Sequence, residues 1–380
     1  MLIKRVKARK IKDSRKEYTI EVKVNNCKAS SPSGKSKGKH ETKPYRKSLN
    51  QSIKDVNSLN FQNINIASFQ DLKKVEHIIK RQFNLKDPKQ FGANALFALE
   101  SAILKSLAKE QKKQLFQIIN PKSGKIPIPV GNAIGGGLHS HNKNHAAFQE
   151  FLIIPKNKSP KQNIKTIKQI YKKLKKITKA KTKNDEGAWQ TSLTNDEILL
   201  ILSIFKNSKI GIDAAASSFY KNSKYKYKNK TLNKKEQIEY MNFLISKYNL
   251  FYVEDPLHEE DFEGFSKIIH SNQNLIVGDD LTATQIPRLK EAIKRKAINA
   301  MIIKPNQNGS LIELRQIFLL CKKHNIKTIL SHRSGETLDN TLADLAVGFQ
   351  SDFIKAGIST KWRKVKLKRL GRIEKSLKTF

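Results

Sequence analysis

Apolar and polar side chains alternate through YTIEVKV (18–24), the pattern of a strand with one solvated face, and residues 1–24 read as strands. The pattern lapses in KASSPSGKSKGKHETK (28–43), a polar stretch rich in Gly, Ser and Lys and long enough to be a lid. Across 68–118 the apolar residues recur at helical spacing, as in FGANALFALESAILKSLAKEQ, whose small side chains at one end predict close helix packing. These elements predict an N-terminal α+β domain over residues 1–125 that carries a lid loop at 28–43.

Beyond residue 125 the period changes. FQEFLIIP, IGIDAAAS, FYVEDP, LIVGDD, AMIIKP, TILSHR and DFIKAG are apolar runs of strand length. Most are separated by helical patterns such as PRLKEAIKRKAI and SLIELRQIFLLCKKH. Strand–helix alternation of this length predicts parallel strands and a C-terminal (β/α)8-type barrel over 126–380. A doubly wound sheet is the alternative, but no Gly-rich phosphate turn follows a first strand, and IGGGLHS lacks the required spacing.

Composition changes this picture little. No apolar run reaches 18 residues, so no membrane span is expected, and MLIKRVKARK lacks the apolar core of a signal peptide. Two distant cysteines, Cys27 and Cys321, fit reduced thiols and a cytoplasmic protein. The net charge of +41 raises the question of nucleic acid. Yet only 12 of the 74 basic residues are arginine, the lysines are spread along the chain, and Asn and Ile are also abundant. That reads as a compositional bias with a solvated basic surface, and nucleic acid would be met only through non-specific charge.

The strand ends carry chemistry. The apolar runs end in or are interrupted by Glu150, Asp213, Glu254, Asp279, Lys304, His332 and Lys355. Any one of these alone is the ordinary start of a solvated loop. In a barrel, however, all seven gather on the C-terminal face, where active sites are built. Asp213, Glu254 and Asp279 are oxygen donors suited to Mg²⁺ rather than to zinc. A lysine beside them, Lys304, can act as a base when a cation lowers its pKa. His332, Arg333 and Ser334 supply donors for a phosphate or carboxylate. Metal, base and anion clamp together suit proton abstraction beside a carboxylate.

The chain resembles the enolase (phosphopyruvate hydratase) family nearly from end to end. The resemblance rests on IKDSRKEYTIEV, SPSGKSKGKHE, FGANALFALESAILK, QEF, DEGAW, IGIDAAASSFY, YVEDP, VGDDLTAT, IIKPNQNGS, SHRSGETLDNTLADLAVG and RIEK, in family order. It implies reversible dehydration of 2-phosphoglycerate to phosphoenolpyruvate with Mg²⁺. By position it implies Asp213, Glu254 and Asp279 as ligands of a first Mg²⁺ and Ser36 as the lid ligand of a second. Glu254 and Asp279 also face the substrate. It further implies Lys304 as base, Glu186 as proton donor with Glu150 and Gln149 beside it, Arg333 and Ser334 as phosphate clamp, and Lys355 on the substrate carboxylate. Asp280 would stand behind His332. A homodimer is implied, with Glu21 of one protomer facing Arg372 of the other.

Several positions depart from the family pattern. The second lid histidine is His139 counted forward from GGGLH and His141 counted back from Glu150; His145 reads as a bystander. Ala188 in DEGAW replaces a usual glycine, and its β-carbon would disfavour a positive φ next to Glu186. The alternatives are a related dehydratase on the same barrel, or a basic nucleic-acid- or surface-binding protein.

Overall fold

The alternation in residues 1–24 becomes an antiparallel hairpin of β1 (Val6–Lys12) and β2 (Tyr18–Val24), with Val6 opposite Val24. Ile20, Val22 and Val24 are buried on one face of β2. The computed structural model describes all of residues 1–380 except 36, 37, 141, 143, 158, 270–272 and 378–380. A third strand, β3 (Cys27–Ser30), pairs with β2, so the first residues of the expected lid are strand and the loop starts at Ser31. The Ala93–Glu110 helix packs on β2 and β3. It is apolar almost all round, as a helix enclosed on every side must be. A further helix, Leu49–Asn57, lies in a stretch that the sequence reading left unassigned.

The barrel has eight strands: β4 (Ile128–Gly135), β5 (Glu150–Pro155), β6 (Ser208–Asp213), β7 (Tyr252–Glu254), β8 (Leu275–Gly278), β9 (Ala300–Ile303), β10 (Lys327–Ser331) and β11 (Phe353–Lys355). They pair in that order, and β11 closes onto β4. Val130, Leu152, Ile154, Tyr252, Ile302 and Ile329 fill the interior as a cluster separate from the helix-facing core. No helix among the described residues is long and apolar enough to cross a membrane.

Uniformly parallel strands were expected, and the structure corrects this. β5 runs antiparallel to both β4 and β6. The described residues of 136–149, which join β4 to β5, hold only a short 3₁₀ turn at Gly137–His139. A parallel return needs a long crossover, usually a helix, and none is present there. Glu150 therefore begins its strand rather than ending it. The reversed direction brings it to the C-terminal face, opposite Asp213.

The two domains meet through a buried carboxyl pair. Glu100 of the Ala93–Glu110 helix is fully buried and accepts the Leu311 backbone N–H at 2.7 Å. Its neighbour Glu76 accepts from Ser310 Oγ, the N-cap of the Leu311–Lys323 helix. Burial raises both carboxyls above their ordinary values, and Glu76 raises Glu100 further. A carboxyl with a raised folded pKa binds more protons folded than unfolded, so stability falls as pH rises above about 4.5. Glu100→Gln removes that penalty. Its expected effect is a higher Tm at pH 8 by ~2–4 °C, and a smaller gain at pH 5, in thermal unfolding at the two pH values. An equal shift at both would rule out the raised pKa as the cause.

Candidate active site

The strand-end residues surround a cavity of about 400 Å³. Its walls include Gln149, Glu150, Glu186, Asp213, Asp279, Lys304, His332, Arg333, Ser334 and Lys355, with Gly34, Lys35, Gly38 and Glu41 of the lid loop. Asp213, Glu254 and Lys355 close their strands, whereas Asp279, Lys304 and His332 stand one residue beyond β8, β9 and β10. Glu254, fully buried, lies beneath the cavity.

Two ammonium groups offset the carboxylate charge. Lys355 Nζ lies 2.9 Å from Glu150 Oε2, 3.2 Å from Asp213 Oδ2 and 2.9 Å from both oxygens of Glu254. Burial disfavours its charge, but these three carboxylates outweigh burial and raise its pKa well above the lysine range. Tyr252 donates its hydroxyl to Glu254 at 2.7 Å. Lys304 Nζ donates to Asp279 Oδ2. Here too burial lowers the ammonium's pKa, and Asp279 more than reverses it.

The residues present fit a hard divalent cation. Asp213, Glu254 and Asp279 offer carboxylate oxygens from three neighbouring strands, and the buried Asp279 Oδ1 has no hydrogen-bond partner among the described residues. An orphaned buried carboxylate oxygen in an oxygen-rich wall calls for a cation. Asp255, Asp279 and Asp280 also lie close enough together to share an ion. Asp255, however, already accepts the backbone N–H of Asp279 at 3.0 Å and of Asp280 at 2.7 Å. It shapes the loop rather than offering free oxygens, and it does so from a left-handed φ of 40°, a conformation costing ~1–3 kcal/mol. Burial and then Asp279 raise Asp280 to about 7.

Across the cavity, Glu186 sits in the loop before the two-residue strand Trp189–Gln190, which pairs with β4. Asn184 Oδ1 accepts the backbone N–H of Glu186 and of Ala188, and Asn132 Nδ2 donates to the Glu186 carboxylate at 3.3 Å. The positive φ falls on Gly187 (84°), not on Ala188, so the alanine imposes no strain on Glu186. Glu186, Glu150 and His139 cluster together, with His139 Nδ1 4.0 Å from Glu186 Oε1. Burial and then Glu186 raise Glu150 well above the carboxylate range despite Lys355. Burial pushes Glu186 up as well, but His332 and His139 outweigh it and hold that carboxyl well down. The pair is thus driven apart, Glu150 toward its protonated form and Glu186 toward its ionised form.

Of the two candidate lid histidines, His139 stands beside Glu186. His141 and Ser36 lie outside the described residues. His145 is exposed, and its ring Nδ1 lies 2.8 Å from the carbonyl of Ala146. Arg333 spreads its guanidinium over both oxygens of Glu41 at 3.0 Å and donates to Asn306 at 3.2 Å. The anion clamp thus holds a lid carboxylate. Ser334 Oγ receives the backbone N–H of Lys35 at 2.7 Å.

The expectation that Asp280 stands behind His332 is corrected. His332 Nδ1 instead accepts from Arg363 Nε at 3.1 Å, and its Nε2 faces Glu186 Oε2 at 3.9 Å. Arg363, in the first turn of the Lys361–Leu377 helix, also donates to the carbonyls of Arg333 (3.2 Å) and Ser334 (3.0 Å). Sequence reasoning missed Arg363, Asp255, Glu41 and Asn132. For Arg363 a signal existed: it is one of 12 arginines in a chain that otherwise uses lysine.

Comparisons with known proteins agree with this geometry. Residues 3–119 match the family model for the enolase N-terminal domain, and residues 123–379 that for the enolase C-terminal TIM barrel domain. The enolase of Sulfurisphaera tokodaii is 36% identical over 93% of this chain and 91% of its own length. That of Archaeoglobus fulgidus is 34% identical over 98% and 97%, and that of Ehrlichia ruminantium 35% over 99% and 97%. Both domains and nearly the full length are covered, and the chain belongs to the enolase family, whose members are lyases.

Proposed function

We propose that this chain catalyses the reversible dehydration of 2-phosphoglycerate to phosphoenolpyruvate in the cytoplasm. The observation that carries the reading is the division of one cavity into two chemistries: Lys304 beside Asp279 on one wall, and the Glu150–Glu186 carboxyl pair on the other. Arg333 and Ser334 bind the phosphate, displacing Glu41, and Lys355 meets the substrate carboxylate. Lys304 takes the C2 proton. Glu186 takes up the proton favoured on Glu150 and delivers it to the departing C3 hydroxyl, which leaves as water, and Gln149 lines the wall beside them. Asp213, Glu254 and Asp279 would hold one Mg²⁺ and Ser36 a second, and these ions would supply positive charge near the substrate's carboxylate. The Arg333 clamp favours a phosphorylated acid over the substrates of related dehydratases. The test is the growth of phosphoenolpyruvate absorbance from 2-phosphoglycerate with Mg²⁺, its loss with chelator and its return with added Mg²⁺. Absence of product with excess Mg²⁺ would reject the assignment.

The working unit is proposed to be a homodimer through the N-terminal strands. Within one protomer Glu21 is already paired with Arg9 at 2.7 Å and Lys28 at 3.6 Å, while Arg372 is exposed. Light scattering is expected to give twice 43.4 kDa at micromolar concentration. A monomer would overturn the dimer.

A further inference from the structure

The charge excess is not uniform over the surface. Residues 156–184 contain twelve lysines and no Asp or Glu, in a chain with 33 acids among 380 residues. A compositional bias explains abundant lysine everywhere, but a 29-residue segment at that average would hold two or three acids. The Pro160–Ile177 helix in this segment packs against the Lys361–Leu377 helix. The latter has a single acid, Glu374, which is buried and turned to Ser159 Oγ and the Lys161 backbone N–H.

Lys168, Lys172, Lys175, Lys183, Lys364 and Lys368 are all exposed, and none forms an ion pair among the described residues. Their crowding disfavours their charge: burial and then Lys364, Lys368 and Lys172 lower the pKa of Lys168, and burial, Lys364 and Lys175 that of Lys183. Elsewhere on this protein lysines meet acids, as at Lys267–Glu263 and Lys234–Asp261. A seam of two helices with like charges and no counter-charge opposes its own folding and is relieved by an external polyanion.

We propose that the face formed by these two helices binds duplex nucleic acid through its phosphates, without reading sequence. Lysines are point charges that neutralise phosphate but do not fork onto base edges. Of the aromatic rings on the two helices, Tyr171 is buried and Trp362 is half-buried with Lys361 Nζ 4.8 Å from its centroid, so the face offers little platform for stacking unpaired bases. An anionic membrane is the poorer fit, because Ile177 is the one large apolar side chain exposed on the two helices.

The test is fluorescence anisotropy with two labelled 20-base-pair DNA duplexes of unrelated sequence, titrated with the full-length protein between 50 and 200 mM NaCl. Lys168, Lys172, Lys364 and Lys368 are changed together to Glu, and in a second variant to Gln. A control variant changes Lys290, Lys294, Lys322 and Lys323 to Glu, which alters net charge equally. The native protein should bind both duplexes alike. The patch variants should weaken binding at least tenfold, and the Gln variant should flatten the log–log salt slope by about 3–4, the value for four lost phosphate contacts. The control should stay within about threefold of native. Equal losses in patch and control variants would show that binding follows net charge alone and overturn the proposal. So would binding to phosphatidylserine vesicles with no binding to DNA, or no DNA binding at 50 mM NaCl.

Discussion

Lys304→Ala is expected to lose both dehydration of 2-phosphoglycerate and exchange of its C2 deuteron with solvent. Glu186→Gln should lose dehydration but keep measurable exchange. The loss in each case should be about 10²–10⁴-fold, the usual worth of a positioned acid or base. The reasoning begins with placement. Lys304 follows β9, whereas Glu186 stands beside β4, three strands away around the closed barrel, so the two groups address different faces of a bound substrate. Replacing the Glu186 acid by an amide leaves Lys304 and Asp279 untouched, and C2 can still lose and regain its proton. The surroundings of Lys304 bear on its proposed role as base. Asp279 holds the proton on Lys304, outweighing burial. When Asp279 shares its charge with a bound cation, burial and Arg333 act on Lys304 with less opposition and favour the neutral amine. Exchange measured by NMR in deuterium-labelled substrate decides the matter. If Lys304→Ala still exchanged at C2 while Glu186→Gln did not, the roles of the two walls would be reversed.

The rim of the barrel was legible in the sequence because each strand is a buried apolar run that must stop where a charge begins. That is why Asp213, Glu254, Asp279, Lys304, His332 and Lys355 could be picked out one by one. Strand direction was not legible. EFLIIP is buried on both faces, and such a run reads the same forwards and backwards. The missing cue was the absence of any helical pattern between IPVGNAIG and EFLIIP, which forbids a parallel return. IPVGNAIG itself carries one Pro and two Gly and passes for a loop. Glu186 lies in a loop between a helix and a two-residue strand, so no periodicity points to it, and only the family resemblance found it. The supporting groups were illegible for another reason. Asp255 acts through backbone N–H groups, Asn132 through a single side-chain bond 54 residues away, and Glu41 by occupying a clamp formed 292 residues later. None of these pairings leaves a local trace.

Arg363→Gln is expected to lower kcat about 10–100-fold, as losses of groups that orient a site residue do, with Arg363→Lys losing less. Arg363 is completely buried, and its guanidinium can only donate. Because it donates to His332 Nδ1, that nitrogen must be the bare one, and the ring proton sits on Nε2, facing Glu186. The same guanidinium ties down the carbonyls of Arg333 and Ser334, so one side chain sets both the histidine tautomer and the backbone of the proposed phosphate clamp. Burial lowers the His332 pKa well below the histidine range, and of the cations around it Arg363 pushes furthest in the same direction. Removing that cation should raise the His332 pKa and let Nδ1 compete for the proton. Nitrogen-15 NMR of the imidazole separates this from simple loss of packing. The native protein should show a protonated Nε2 that does not titrate between pH 6 and 8. The Gln variant should show mixed tautomers or a titration that begins at higher pH. Should Arg363→Gln keep kcat within about twofold and leave the His332 signals unchanged in a folded protein, Arg363 would be a packing residue and the tautomer of His332 would be set elsewhere.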